Sequence, residues 1–188
     1  MTPDDPRGDL IGILRRGMST AVGEPFVLSS GAKSWVVFDC ANAVCDNDTL
    51  GFVVSYLLDH VSVDFDAIGG PALGAGPLVY GAGAVAGRRC FLVREAQKGH
   101  GIGGWFKGHF APGDRVLMVE DVVTTGDSLL KAMRVVRDQG AVVVGAATLV
   151  DRGDVTARKV ADEFAVPYVA MTTYEDFGVD PVEPVPST

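Results

Sequence analysis

The sequence predicts an α/β fold with a mostly parallel central sheet flanked by helices. Short apolar runs alternate with segments whose apolar residues recur at helical spacing. This alternation is typical of strand–helix–strand units with right-handed crossovers. The 188 residues are enough for one such domain with a sizeable core, and neither an internal repeat nor a domain linker is present.

The first elements are predicted to be a helix, a hairpin and a second helix. Residues 9–16 can form a short helix. Apolar strands at 26–31 and 35–39 would pair as a small N-terminal hairpin. Asn47 or Asp48 can cap the amphipathic helix that follows.

The middle of the chain continues the alternation of strands and helices. A short strand at 65–68 ends in glycines, a small-residue helix covers about 76–86, and a strand covers 89–93. Residues 95–112 are polar and rich in glycine, and they are too many for a routine connection. We expect them to form a lid or a binding loop.

The C-terminal part is predicted to hold three more strands and two helices. The first strand covers 116–119, and Gly140 ends the helix behind it. Residues 141–150 form another buried strand, Asp154 caps a helix, and 167–171 form an edge strand.

Charge and composition exclude several classes of function. The net charge of −8 will not attract nucleic acid, so an anionic substrate needs a local basic cluster. The sequence has no run of 18 apolar residues and no signal-peptide start, so we expect no membrane association. The three cysteines form no framework of pairs, which favours free thiols in a reducing cytoplasm.

The stretch from Val116 to Ser128 carries the clearest functional pattern. An apolar strand ends in two carboxylates, Glu120 and Asp121, and the turn 124–128 then opens a helix. N–H groups and hydroxyls at a helix N-terminus suit a phosphate, and adjacent carboxylates suit ribose hydroxyls. The alternative is an ordinary capped helix, which does not require this combination of residues.

This stretch resembles the phosphoribosyl pyrophosphate (PRPP) signature of type I phosphoribosyltransferases. The resemblance implies that family's fold, with an N-terminal hood at about 1–45, a PRPP-binding core at 46–177 and an irregular tail at 178–188. It also implies that Glu120 and Asp121 hold the ribose and act in catalysis. The implied ribose 5-phosphate site comprises Glu120, Asp121, Val122, Val123, Thr124, Thr125, Gly126, Asp127 and Ser128.

A second glycine-rich turn follows the strand at 65–68. Glycines let backbone N–H groups approach an anion closely, although a tight strand-to-helix turn needs them as well. In the family this loop binds the pyrophosphate of PRPP. The implied residues are Gly70, Pro71, Ala72, Leu73 and Gly74.

Cations open the long segment at 95–112. Arg94, Lys98 and His100 resemble the mobile loop of orotate phosphoribosyltransferases, which covers the pyrophosphate and reaches into the neighbouring subunit of a dimer. The resemblance implies pyrophosphate binding by all three, catalysis by Lys98 and a homodimer. Glu95 is a departure, because the family commonly has lysine there.

The base site depends on Lys33 and Arg152. Lys33 lies in a segment that resembles the N-terminus of orotate enzymes, and the family's arginine at the place of Arg152 pairs with the orotate carboxylate. Thr124 completes the implied orotate site. Lys33 could instead be a surface lysine, and Arg152 could pair with Asp151 or Asp154.

These features together predict an orotate phosphoribosyltransferase-like enzyme of pyrimidine synthesis. The resemblance implies PRPP and orotate as substrates and Mg²⁺ held mainly by PRPP, with protein ligands of the metal unknown. Orotate is already an anion, so no strong general base is required. A purine phosphoribosyltransferase of the same fold and a non-catalytic PRPP sensor remain alternatives.

Overall fold

The computed structural model describes residues 5–28, 31–98 and 104–182, except for the side chains of residues 96–98. The chain runs through α1 (Pro6–Arg16), β1 (Met18–Thr20), β2 (Phe26–Val27), β3 (Lys33–Ser34), β4 (Val36–Phe38), α2 (Cys40–Ala43), α3 (Asn47–Asp59), β5 (Ala67–Pro71), α4 (Gly76–Ala86), β6 (Arg89–Lys98), β7 (Gly104–Gly108), β8 (Arg115–Val123), α5 (Asp127–Asp138), β9 (Val142–Asp151), α6 (Thr156–Phe164), β10 (Tyr168–Thr173) and a short 3₁₀ helix (Tyr174–Phe177). In the described part of the chain, no helix is both long enough and apolar enough to cross a lipid bilayer.

A six-stranded sheet with the order β10-β9-β8-β5-β6-β7 forms the centre of the fold. Its strands pair in parallel except for β7, which is antiparallel to β6. The chain moves outward from β5 in one direction and from β8 in the other, so the strand order reverses between these two neighbours. Such a switch point opens a crevice at the carboxyl ends of the strands, where open α/β sheets bind ligands. The predicted fold class is confirmed.

Each face of the sheet has its own core. Leu117 and Val119 of β8 belong to a cluster with α1, α3 and α4, whereas Val116 and Met118 belong to a cluster with α5 and α6. Neighbouring residues of a strand point to opposite faces, so a continuous apolar run is what a strand covered on both faces requires. The two cores fix the carboxyl end of β8 between two layers of helices.

The predicted N-terminal hairpin is wrong in its pairing. Residues 26–27 pair with 33–34, whereas 36–38 pair with the unpredicted strand β1. Ser34 is the physical reason, because its Oγ accepts from the Val36 N–H at 3.1 Å and donates to the Val36 carbonyl at 2.7 Å. These local bonds compete with a sheet ladder at the junction of β3 and β4, so the chain passes from one short strand to another that has a different partner.

The segment at 95–112, predicted to form a lid or a binding loop, contains regular strands. β6 extends to Lys98, and β7 returns antiparallel to it. Phe91, Phe106 and Phe110 pack together with ring centroids 4.5–5.7 Å apart, and this burial stabilises the base of the hairpin. The tip at 99–103 lies outside the described residues.

Two predicted helix caps differ from the structure. Asp46, not Asn47 or Asp48, caps α3 by accepting from the Thr49 N–H at 2.8 Å. α6 begins at Thr156 with Val155 at its N-cap, so Asp154 does not cap it. Each predicted cap is a polar or acidic residue close to a helix start. The path of the chain decides whether the side chain of such a residue reaches a free N–H group, as Asp46 does in α3 and no side chain does in α6. The predicted edge strand is confirmed as β10.

Candidate active site

The acidic pair lies inside β8 and not beyond its end. The ladder with β9 continues past the pair, with Glu120 opposite Thr148 and Val123 opposite Asp151. Both carboxylates line the cleft at the switch point. The Asp121 carboxylate faces the glycine-rich turn so closely that a β-carbon at Gly74 would lie 2.7 Å from Asp121 Oδ1. The predicted ribose carboxylates and the predicted pyrophosphate loop therefore meet.

Burial raises the pKa of both carboxyl groups and so disfavours their ionised forms. Glu120 is 9% exposed, and burial, with a contribution from the charge of Asp121, raises its pKa to about 8. Burial also raises the pKa of Asp121, although backbone N–H groups of Val122 and Asp121 oppose the shift. A hydroxyl-bearing or cationic ligand would relieve this unfavourable burial of charge.

We expect the free energy of unfolding to fall as pH rises from about 5 to 8, by up to about 1.4 kcal/mol per pH unit. Folded Glu120 keeps its proton until about pH 8, whereas the unfolded carboxyl loses it near 4.5, so the folded state binds more protons in this window. Glu120→Gln should flatten the slope in urea unfolding measured at pH 6 and 7.5. Glu163→Gln is the control, because the pKa of Glu163 is lowered and its titration falls below this window. If the free energy of unfolding of Glu120→Gln changed with pH as it does in the wild type, the raised pKa of Glu120 would be contradicted.

The phosphate turn lies where β8 meets α5. Gly126, at φ 78°, is the N-cap of α5 and has no side chain with which to bond the free N–H groups of the first turn. Apart from the Asp127 N–H, which donates to Thr125 Oγ1 at 3.5 Å, these donors and the positive end of the helix dipole are therefore available to an anion. Gly153 packs against the Thr124 carbonyl, and a β-carbon there would clash with it. The Val123 side chain is 2% exposed and packs in the core beneath the turn.

A cavity of about 660 Å³ joins the acidic pair to the predicted pyrophosphate loop. Among the described residues it is lined by Pro71, Ala72, Leu73, Gly74, Ala75, Val93, Arg94, Glu95, Glu120, Asp121, Val122, Ser128, Lys131, Ala132 and Val135. Gly70 lies in β5 just before this loop, where a β-carbon would clash with the Val119 carbonyl. The loop therefore needs its glycines for close packing as well as for any ligand.

Two cations reach the cavity from different elements. Arg94 Nη1 donates to the Gly104 carbonyl at 3.0 Å, across the β6–β7 hairpin. Lys131 of α5 donates to the Glu95 carbonyl at 2.9 Å and was not singled out from the sequence. No sequence pattern marks it, since only the crossing of α5 over β6 brings it there. The Lys98 side chain and His100 lie outside the described residues.

Arg152 is buried against the N-terminal strands, at 3% exposed. Its Nη1 donates to the Val36 carbonyl at 2.7 Å and its Nη2 to Ser34 Oγ at 3.1 Å, while the Phe38 ring lies 5.4 Å from the guanidinium carbon. Its Nε is buried without a hydrogen-bond partner among the described residues. A buried donor left unsatisfied costs free energy, so this nitrogen is a candidate to bind a ligand.

The structure brings the backbone segments of the three predicted base residues close to one another. Lys33 is exposed on β3, directly before the Ser34 that binds Arg152. Asp151, a proposed alternative partner of Arg152, instead accepts from the Gly153 N–H at 3.0 Å and from the Tyr168 hydroxyl at 2.7 Å. The Arg152 N–H donates to the Val123 carbonyl at 2.8 Å, next to Thr124. Lys33, Thr124 and Arg152 therefore belong to one region.

An open parallel sheet with an acidic pair, a phosphate turn and a glycine loop at its switch point defines a class: α/β domains that bind a phosphorylated pentose. A family model described as "Phosphoribosyl transferase domain" matches residues 84–181. The orotate phosphoribosyltransferase of Streptomyces avermitilis is 38% identical over 183 residues, which are 94% of this chain and 100% of that protein. The chain belongs to the orotate phosphoribosyltransferase family.

Solved structures agree with this membership. A phosphoribosyltransferase from Corynebacterium diphtheriae superposes with a TM-score of 0.79 at 28% identity, covering 93% of this chain and 99% of that one. The orotate phosphoribosyltransferase of Mycobacterium tuberculosis in complex with PRPP superposes with a TM-score of 0.73 at 29% identity, with the same two coverages. The predicted family is thus confirmed over nearly the whole chain.

Proposed function

We propose that this protein transfers the phosphoribosyl group of PRPP to orotate, giving orotidine 5′-monophosphate and pyrophosphate in pyrimidine biosynthesis. The observation that carries the choice of base is the buried guanidinium of Arg152, whose Nε has no hydrogen-bond partner among the described residues. A planar cation in this position suits the carboxylate of orotate, which purine bases lack. The names of the similar proteins support the same choice.

In the proposed reaction the chain supplies position and charge. The turn 124–128 binds the 5′-phosphate through N–H and hydroxyl donors. Hydrogen bonds from the ribose hydroxyls to Glu120 and Asp121 would lower the pKa values that burial raises, and the carboxylates ionised in the complex would stabilise the positive charge that develops at the anomeric carbon. The bond from this carbon to pyrophosphate breaks as the bond to the orotate nitrogen forms.

The leaving group is proposed to lie in the cavity between Gly74 and Arg94. Backbone N–H groups of the loop 70–74 and the cations Arg94, Lys98 and His100 would bind pyrophosphate, and Lys98 would act in catalysis. The exposed carboxylate of Glu95 lies at the same cavity. It opposes this charge pattern, so we expect it to point away from the pyrophosphate.

Magnesium is part of the proposal as a substrate-bound ion. The described residues contain no group of three or more His, Cys, Asp or Glu side chains that could hold a metal ion. Glu120 and Asp121 nevertheless supply the oxygen donors that Mg²⁺ prefers, so they fit an ion that PRPP brings with it. Such an ion would neutralise charge on the pyrophosphate oxygens. We also propose a cytoplasmic homodimer, and the free thiols of Cys40, Cys45 and Cys90 fit a reducing compartment.

An assay with PRPP, Mg²⁺ and orotate tests the function. We expect loss of orotate absorbance and release of pyrophosphate, and no product with hypoxanthine or adenine in place of orotate. Product from a purine but not from orotate would assign the protein to the purine branch of the fold. Binding of PRPP with no product from any base would instead indicate a sensor.

A further inference from the structure

An acidic side chain lies within the proposed phosphate site. Asp127 is the first residue of α5, in the turn whose N–H groups are proposed to bind the 5′-phosphate. Its side chain is 73% exposed, and its hydrogen bond with Lys159 lowers its pKa, so it is ionised at neutral pH. An unneutralised carboxylate here would repel a phosphate dianion and compete with it for the positive end of the helix.

Lys159 of α6 neutralises this carboxylate and holds the turn. Its Nζ donates to Asp127 Oδ1 at 2.9 Å and to the Thr125 carbonyl at 2.7 Å. The Thr125 hydroxyl donates to the other oxygen of Asp127 at 2.9 Å. One ammonium group therefore binds a side chain and a backbone carbonyl of the same turn, and both acceptors are occupied before any ligand arrives.

We propose that Lys159 is a positioning residue for the 5′-phosphate, which cancels the charge of Asp127 and fixes the turn in its donor-rich form. This rests on the proposed function insofar as the turn 124–128 must hold a phosphate. With Lys159 in place, the acceptors of the turn are held by the protein and its N–H groups remain for the ligand. The affinity for a phosphorylated pentose then depends on a residue of the following helix.

The same two helices offer a matched control. Arg134 of α5 forms a bidentate pair with Glu163 of α6, with Arg134 Nε 2.6 Å from Glu163 Oε1. This pair also joins α5 to α6 through a cation and a carboxylate, but it lies seven residues along α5 from Asp127. A general loss of helix–helix contact would therefore affect both pairs, whereas Arg134 contributes less than Lys159 to the charge balance around Asp127.

The test is calorimetric titration of the full chain with ribose 5-phosphate at low ionic strength. We expect Lys159→Met to weaken binding about tenfold, since it exposes the phosphate to the charge of Asp127. Asp127→Asn should bind more tightly than the wild type, because it removes the carboxylate that repels the phosphate, and the double variant should recover to within about threefold. Arg134→Met should weaken binding less than threefold, because Arg134 contributes less than Lys159 to the charge around Asp127. In turnover, Lys159→Met should raise the KM for PRPP with little change in the KM for orotate.

Three results would overturn the inference. Equal affinity of the wild type and Lys159→Met would show that the lysine does not act on the phosphate. Weak binding by both Lys159→Met and the double variant would indicate direct contact or structural collapse, not charge cancellation. A wild type that does not bind ribose 5-phosphate would overturn both this inference and the proposed function, whereas the first two results leave the proposed function intact.

Discussion

Replacing Glu120 by Gln and Asp121 by Asn together is expected to lower kcat/KM for PRPP by about 1000-fold or more. Removal of a single preorganised group that stabilises transition-state charge commonly costs about 10²–10³ in rate. Here both side chains proposed to face the ribose lose the ability to ionise in the complex. The amide side chains have nearly the same shape, so the cleft keeps its packing while the stabilisation of the anomeric carbon is lost.

The fold should survive this change. The pKa values of both carboxylates are raised by burial, so their ionisation is unfavourable to the folded state. The double variant should therefore unfold in urea at pH 8 at no lower midpoint than the wild type. Asp138→Asn, at the exposed end of α5, is the control for a carboxylate lost without effect on turnover. If turnover of the double variant stayed within threefold of the wild type, Glu120 and Asp121 would have no role in the reaction.

Replacing Arg152 by Ala is expected to raise the KM for orotate about 100-fold and the KM for PRPP much less. Truncating one partner of a buried, hydrogen-bonded charge pair costs about 2–5 kcal/mol, because the other charge is left without a partner. Only orotate brings a carboxylate to this guanidinium in the proposed complex. Initial rates with each substrate varied in turn would measure the two effects separately.

Arg152 also has a structural role that the experiment must separate. Its bonds to Val36 and Ser34 hold the N-terminal strands, so Arg152→Ala should also lower the free energy of unfolding by about 1–3 kcal/mol. Ser34→Ala removes one of these bonds and leaves the guanidinium, and we expect it to change the orotate KM less than tenfold. Equal increases of both KM values in Arg152→Ala would argue against a carboxylate site.

The relatives and the structure differ in what they establish about the site. The relatives identify the family, whereas only the structure shows which lysines reach the proposed phosphate and pyrophosphate sites. Lys131 donates to the backbone carbonyl of Glu95, and Lys159 pairs with the carboxylate of Asp127. Neither lysine belongs to a recognisable motif, because each reaches its partner from an element distant in the sequence.

The sequence by itself determined the fold class, the acidic pair and the phosphate turn. These features are local: an apolar run ends in Glu120 and Asp121, and the chain direction alone places the following turn at the start of a helix. The parallel order of strands and helices then places that turn at the sheet edge. Residues adjacent in sequence stay adjacent in any fold, so such a motif can be read without tertiary information.

Only the tertiary structure decided the contacts between distant segments. The Ser34 hydroxyl binds Val36 at the junction of β3 and β4, where the chain changes its pairing partner from 26–27 to 18–20. Arg152 reaches Val36 from the other end of the chain. Burial between two helical layers raises the pKa of Glu120, which the sequence shows as an ordinary carboxylate. Side-chain reach, pairing and desolvation depend on which segments pack together. The sequence alone therefore does not predict these contacts or the burial that they cause.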